Sequence, residues 1–258
     1  MTDRPPLLFL HGAFAGPEVW TRFVAPWFVR RGHRVAAPLM PGRTSYHARM
    51  RDYVRVAREA AEELGRPVAV AHSLGGLVAQ HLAAEGRLSG VVLVSSPGPM
   101  GLAPTLWNLA ASPDVLAALL VAQAGAGDRY GPEALRRALF TDETPDDWIL
   151  GLGLNLSPES PSALADGLAW DLPAWPLARS TPMLAVQGDR DAFVPITDLW
   201  SIAMAYGAET TLLPGLGHGL PIDPAWKSLA WRISAWLGER QIGVRAPRPW
   251  LTAFGFAS

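Results

Sequence analysis

Cysteine is absent from all 258 residues. Disulfides, thiolate metal centres and a cysteine nucleophile are thereby excluded, and thiol redox chemistry with them. Charge is scarce as well: charged residues make up 17% and the formal net charge is -1. A chain so balanced lacks the basic face that nucleic acid requires, so no nucleic-acid partner is expected. Lysine occurs once, at Lys227, which leaves no Gly-rich phosphate loop with its lysine. Arginine supplies the other basic residues, a usage that points to a GC-rich bacterial source. No apolar run reaches the length of a membrane span. The longest, Val115 to Gly127, is interrupted by Gln123 and suits a buried or interfacial helix. The apolar run in the N-terminal MTDRPPLLFLHG is too short for a signal-peptide core, so a cytoplasmic location is expected. Internal repeats and low-complexity segments are missing too.

What remains is an apolar, globular composition, with hydrophobic residues at 49%, enough for one sizeable α/β core. Short apolar β-type runs punctuate the chain: PLLFLH, HRVAAPL, PVAVAH, GVVLVSS, PMLAVQG and AETTLLPG. Between several of them lie helical patterns. In RMRDYVRVAREAAEEL, for instance, Tyr53, Ala57, Ala60, Ala61 and Leu64 share one stripe. Continuously apolar strands separated by helices imply a parallel sheet covered on both faces, the doubly wound α/β class.

The alternation breaks from about Pro97 to Leu177, where short helices replace strands. Ser112, Thr144 and Ser160, each followed by proline, read as N-caps with proline at the first helical position. The organisation expected is a core over 1–96 and 178–258 with a helical cap over 97–177. Trp107, Phe140, Trp148, Trp170 and Trp175 lie in this cap. Most are expected to knit it to the body, a few to wall an apolar cleft. The final helix WKSLAWRISAWLGER is followed by an apolar tail, APRPWLTAFGFAS, expected to pack on the body.

PVAVAHSLGGLVAQ sets Ser73 where a strand gives way to a helix. A serine there can be an N-cap or a nucleophile lifted clear of the sheet on a strained turn. Two features favour the nucleophile. The site lies at the carboxyl edge of a parallel sheet, where open α/β folds bind ligands, and Ala71, Gly75 and Gly76 remove bulk around the turn. A serine hydroxyl needs a base, and six histidines compete for that role. His218, in LPGLGHGLP after the last strand-like run, falls at the same sheet edge. His11, His33, His47, His72 and His81 read better as structural or solvated, with His72 expected to point away from Ser73. The base needs a carboxylate, and GDRDAFVP offers Asp189 and Asp191. Oxyanion donors are expected at the N–H of Leu74 and, from HGAFAGPEVW, at that of Ala13, with Phe14 as runner-up. Phe14, His72, Trp148 and Trp170 are candidate substrate-binding residues. The acidic cluster Asp142, Glu143, Asp146 and Asp147 reads as a helix start, where the dipole favours negative charge, and no metal is expected.

HGAF, AHSLGG, GDRDAFVP and GLGHG, in this order, resemble the α/β-hydrolase superfamily across nearly the whole chain. The wording is similar to bacterial carboxylesterases, including pimeloyl-[acyl-carrier-protein] methyl ester esterases, and to the plant methylesterase and hydroxynitrile lyase branch. That resemblance implies about six mostly parallel strands, the family's first two being missing, and a helical cap between its strands six and seven. It selects Asp191, three residues beyond the glycine, as the acid, with Asp189 a turn-former. It implies a serine esterase with Ser73 as nucleophile, His218 as base and Asp191 behind it, using no cofactor and acting on a small-molecule ester with an apolar acyl group. Ala71 stands where the family has glycine. Gly219 follows His218 where the lyases carry lysine, which weighs against cyanohydrin chemistry. Against Arg129, Arg136 and Arg137 the cap holds more acids, which disfavours an acidic carrier protein. The same constellation also serves lactonases, thioesterases, carbon–carbon hydrolases and lyases. A non-catalytic ligand receptor on the same core would be expected to have lost the triad.

Overall fold

The computed structural model describes residues 4–126, 131–154, 156–240 and 242. Arg129 and the tail 246–258 lie outside the described residues. Six strands form one sheet in the order β2-β1-β3-β4-β5-β6. They are β1 (Leu7–Leu10), β2 (Val35–Ala36), β3 (Val68–His72), β4 (Gly90–Val94), β5 (Met183–Gly188) and β6 (Glu209–Leu213). Every pairing is parallel. The four inner strands are buried along their whole length, which is why they read as unbroken apolar runs.

Alternate residues of these strands feed two cores. Leu8, Leu10, Ala69, Ala71 and Leu93 face α3 (Met50–Leu64), α4 (Leu74–Ala84) and α11 (Ile196–Tyr206). Leu7, Phe9, Val68, Val70 and Val94 face α1 (Glu18–Thr21), α2 (Val24–Val29) and α12 (Trp226–Glu239). The stripe read on α3 is the buried one: Tyr53, Ala57, Ala61 and Leu64 are inside, and Ala60 is half-buried at its rim.

Between β4 and β5 the chain leaves the sheet for a helical insertion. Its helices are α5 (Ala103–Ala110), α6 (Pro113–Gln123), α7 (Pro132–Leu139), α8 (Asp146–Leu152), α9 (Pro161–Ala165) and α10 (Trp175–Ala178), with a π-helical turn at Asp166–Trp170. Ser160 caps α9 by accepting the Ala163 N–H. Ser112 occupies the cap of α6 without such a bond. Thr144 is displaced by one: Pro145 is the residue before α8, because its fixed φ and extended ψ finish the turn and Asp146 opens the helix. No single helix among the described residues is long and apolar enough to cross a membrane.

The sheet order reverses between β1 and β3. The chain winds outward from β1 to β2 and then returns to the other side of β1. Loops leaving the carboxyl ends of two strands on either side of such a reversal diverge, one toward each face, and open a crevice. Here those loops are HGAF after β1 and the corner at Ser73 after β3.

Candidate active site

Ser73 has φ 53° and ψ -126°, a left-handed conformation that a residue with a Cβ adopts only under constraint. Close packing supplies that constraint. A Cβ on Gly75 would meet the carbonyl oxygens of His11 and Leu10 at 2.5 and 2.7 Å, so α4 starts hard against the end of β1. A Cβ on Gly12 would lie 2.8 Å from that of Ser73. The side chain of Ser73 makes no capping bond to α4. A serine placed there only to cap would accept an amide of the first turn. This one spends no hydroxyl on the helix and lines a cavity of about 330 Å³ instead.

His218 lies on the loop after β6 and faces the same cavity. Its Nδ1 sits 2.9 and 3.0 Å from the two oxygens of Asp191, whose side chain is 1% exposed. An ionised carboxylate only accepts, so Nδ1 carries the proton and Nε2 keeps its lone pair. Asp191 also accepts the N–H groups of Phe193 and Val194 at 2.9 and 3.0 Å. Burial opposes its charge, but the His218 ring and these two amides outweigh burial and hold the carboxyl below its ordinary range. Asp189 instead accepts the Gly215 N–H at 2.7 Å and ties the two loops at a turn.

Ala13, Phe14 and Leu74 line the cavity beside Ser73. Among the described residues the N–H groups of Ala13 and Leu74 have no hydrogen-bond partner, whereas that of Phe14 donates to Glu159 Oε2 at 3.3 Å. The first two are the free donors at this corner. Phe14 is committed elsewhere, in a left-handed conformation of its own, with φ 61°. His11 braces the loop: its Nδ1 donates to the Gly12 carbonyl at 2.8 Å and its Nε2 accepts the Met40 N–H at 2.9 Å.

The remaining wall is almost entirely hydrocarbon. Leu102, Leu109, Leu116, Leu119, Leu135 and Leu164, all from the insertion, enclose it. The apolar stretch from Val115 is thereby explained, since α6 turns a leucine face to the cavity. Trp148 and Trp170 do not belong to that wall. Trp148 is stacked on Phe23 with ring centroids 5.5 Å apart and donates its indole N–H to the Ile222 carbonyl, so it ties α8 to the body. Trp170 is 81% exposed.

His72 lines the same cavity. It shares the parity of Val68 and Val70 and projects onto the α1, α2 and α12 side, where the loop carrying His218 passes under it. Its Nε2 donates to the His218 carbonyl at 2.9 Å, and the two rings lie 4.7 Å apart. Burial, with the His218 ring's charge adding to it, lowers its pKa to about 3, so the ring stays neutral. Glu159 was not anticipated. It is buried, accepts from Tyr53, Ser160 and Phe14, and sits in the polar stretch SPESPS, where nothing in its spacing connects it with the HGAF loop.

The description "Alpha/beta hydrolase family" matches residues 7–230. No curated protein matches the sequence. Among solved structures, a thermophilic esterase from Thermogutta terrifontis is similar at 22% identity, with a TM-score of 0.69 over 93% of this chain and 91% of that one. The putative non-heme bromoperoxidase BpoC from Mycobacterium tuberculosis H37Rv is similar at 17% identity, with a TM-score of 0.70 over 94% of each chain. A structure described with the carboxylesterases of the thaumarchaeon Nitrososphaera gargenis is similar at 16% identity, with a TM-score of 0.67 over 93% of each. These likenesses concern the fold. Together with the family match over most of its length, they lead to one conclusion: the chain belongs to the alpha/beta hydrolase family.

Proposed function

We propose that the protein is a serine hydrolase that cleaves carboxylic esters with an apolar acyl group. One observation carries the reading: a strained serine with an uncommitted hydroxyl shares a cavity with a histidine whose far nitrogen is held by a buried carboxylate. The Ser73 hydroxyl attacks the acyl carbonyl and passes its proton to Nε2 of His218. Asp191 keeps Nδ1 protonated and stabilises the imidazolium. The Ala13 and Leu74 N–H groups receive the oxyanion of the tetrahedral intermediate. His218 then protonates the departing alkoxide, and water, deprotonated by the same ring, resolves the acyl-enzyme. The insertion over 97–177 serves as the cap that walls the acyl group from solvent.

The test is turnover of a short p-nitrophenyl ester by the wild-type chain and by Ser73→Ala, with an organophosphonate as covalent probe. The expected result is hydrolysis and a phosphonyl adduct on Ser73 in the wild type, and loss of both in a variant with unchanged circular dichroism. Full activity in Ser73→Ala would sink the scheme. Turnover with no adduct would point instead to a lyase using the same constellation, and tight ligand binding without turnover to a receptor.

A further inference from the structure

Three loops carry the proposed machinery, and the insertion grips each of them by hydrogen bonds. The Asn108 amide of α5 donates to the carbonyls of Ala192 and Phe193, beside Asp191, at 3.0 and 3.1 Å. At the end of α7 the Leu139 carbonyl accepts the Gly219 N–H, next to His218, at 2.6 Å. On the HGAF loop both backbone groups of Phe14 are taken. Its carbonyl accepts the Ser157 N–H at 3.0 Å, and its N–H donates to Glu159 Oε2 at 3.3 Å. The first two grips use neutral groups. The third uses a buried carboxyl, one peptide away from Ala13.

A buried carboxylate is a costly way to hold a loop unless its oxygens are needed where they are. Here each oxygen is engaged. Oε1 accepts the Ser160 N–H at 2.8 Å and the Tyr53 hydroxyl, leaving Oε2 for Phe14. The Glu159 backbone is fixed in turn, because the Gln123 amide donates to its carbonyl at 2.9 Å and accepts its N–H at 3.2 Å. Gly42 closes the pocket, since any Cβ there would collide with both Glu159 Oε1 and the Tyr53 hydroxyl. Left-handed backbone at Phe14 is strained for a residue with a Cβ, so a released loop would relax. Pinning the Ala13–Phe14 peptide plane prevents that relaxation and fixes one side of Ala13, a cavity-lining residue whose own N–H has no partner among the described residues.

We infer that Glu159 is a positioning residue: by holding the Phe14 backbone it aims the Ala13 N–H as an oxyanion donor, which makes turnover depend on the insertion as well as on the core. The inference rests on the esterase reading above. Glutamine cannot replace the carboxylate, because either orientation of its amide sets an N–H against a fixed backbone N–H of Phe14 or Ser160.

The experiment compares Glu159→Gln, Glu159→Ala and Tyr53→Phe with the wild type on p-nitrophenyl butyrate. Active sites are counted by phosphonate labelling taken to completion, so that only folded, reactive chains enter kcat. Loss of one oxyanion donor costs about 100- to 1000-fold, so misaiming one by Glu159→Gln should lower kcat per site about 10- to 100-fold with KM nearly unchanged. The rate of phosphonylation should fall in parallel. Tyr53→Phe, which keeps the bond to Phe14, should fall less, by about 3- to 10-fold. An unchanged kcat per site in Glu159→Gln, with only a lower melting temperature, overturns the inference. If neither Glu159 variant folds, Tyr53→Phe decides: a lower kcat at constant KM supports the positioning role, and an unchanged kcat overturns it. A wild-type chain that neither turns over the ester nor takes the phosphonate overturns the esterase reading itself, and the inference with it.

Discussion

At the scale of single residues, His72 shows how burial on one face of a strand becomes a pH dependence. Its ring is held between Trp20 and His218, donates through Nε2 to the His218 carbonyl, and leaves Nδ1 without a partner among the described residues. Protonation would bury a charge, so the folded-state pKa drops to about 3 from 6.5. A depressed value means that stability is complete above about 6.5, where neither state binds the proton, and is lost as pH falls toward the folded value. Between about pH 6 and pH 4 the unfolded chain takes up one proton that the folded chain refuses, a slope of about 1.4 kcal/mol per pH unit from this group. Burial lowers His11 and His33 as well, so the wild type should lose stability in acid by more than His72 alone accounts for. The expected outcome is that His72→Gln, compared by urea unfolding between pH 4 and 7, flattens the dependence by about one proton. A slope identical to wild type would show that His72 is not held neutral. Local chemistry singled out Ser73 and His218 as candidates, a corner serine and a loop histidine, but left Asp189 and Asp191 open until the family resemblance selected Asp191. Sequence reasoning missed what His72 touches, because the contact is with a backbone carbonyl 146 residues away.

At the scale of elements, the corner depends on how closely α4 approaches β1. Gly75 has an ordinary helical place, yet a methyl group there would press on two backbone carbonyls, which cannot move aside as a side chain can. Gly75→Ala should therefore lower stability by about 1–3 kcal/mol through overpacking, and it should displace the Leu74 N–H with the start of the helix. Thermal melting and ester turnover on the same preparation check this, and a melting temperature equal to wild type would refute it. Six strands were legible because five of them are apolar enough to stand out; β6, ETTLL, was read within the run AETTLLPG, although in it the burial alternates and the sequence does not. HRVAAPL shrinks to the two residues of β2, an edge strand paired on one side only, where a ladder is easily cut short. The helical insertion was legible from its prolines and caps, with Thr144 off by one position. Its aromatics divide, because size and apolarity suit several places equally: Trp148 ties the insertion to the body, Trp170 is exposed, and only packing distinguishes both from the leucines that do line the cavity.

At the scale of the whole molecule, core and insertion divide the work. The core supplies the corner and three loops at one sheet edge, and the insertion supplies a leucine wall together with the hydrogen bonds that brace those loops. No sequence periodicity encodes that arrangement, since it arises from contacts such as Tyr53 with Glu159, which lie 106 residues apart. Its consequence for substrate is quantitative. Each methylene buried in such a wall contributes about 0.8 kcal/mol, or about a fourfold gain in kcat/KM per added carbon. The gain should persist from acetate through at least hexanoate in a series of p-nitrophenyl esters, then level off once the space of about 330 Å³ is filled. Leu109→Trp, which narrows the wall from α5, should move the plateau to shorter chains while leaving acetate hydrolysis close to wild type. Both halves matter, because a rising series by itself would follow from any greasy surface near Ser73. A plateau that stays in place when Leu109 is enlarged would mean that the acyl chain lies outside this cavity, and the insertion would then brace the loops without holding the substrate.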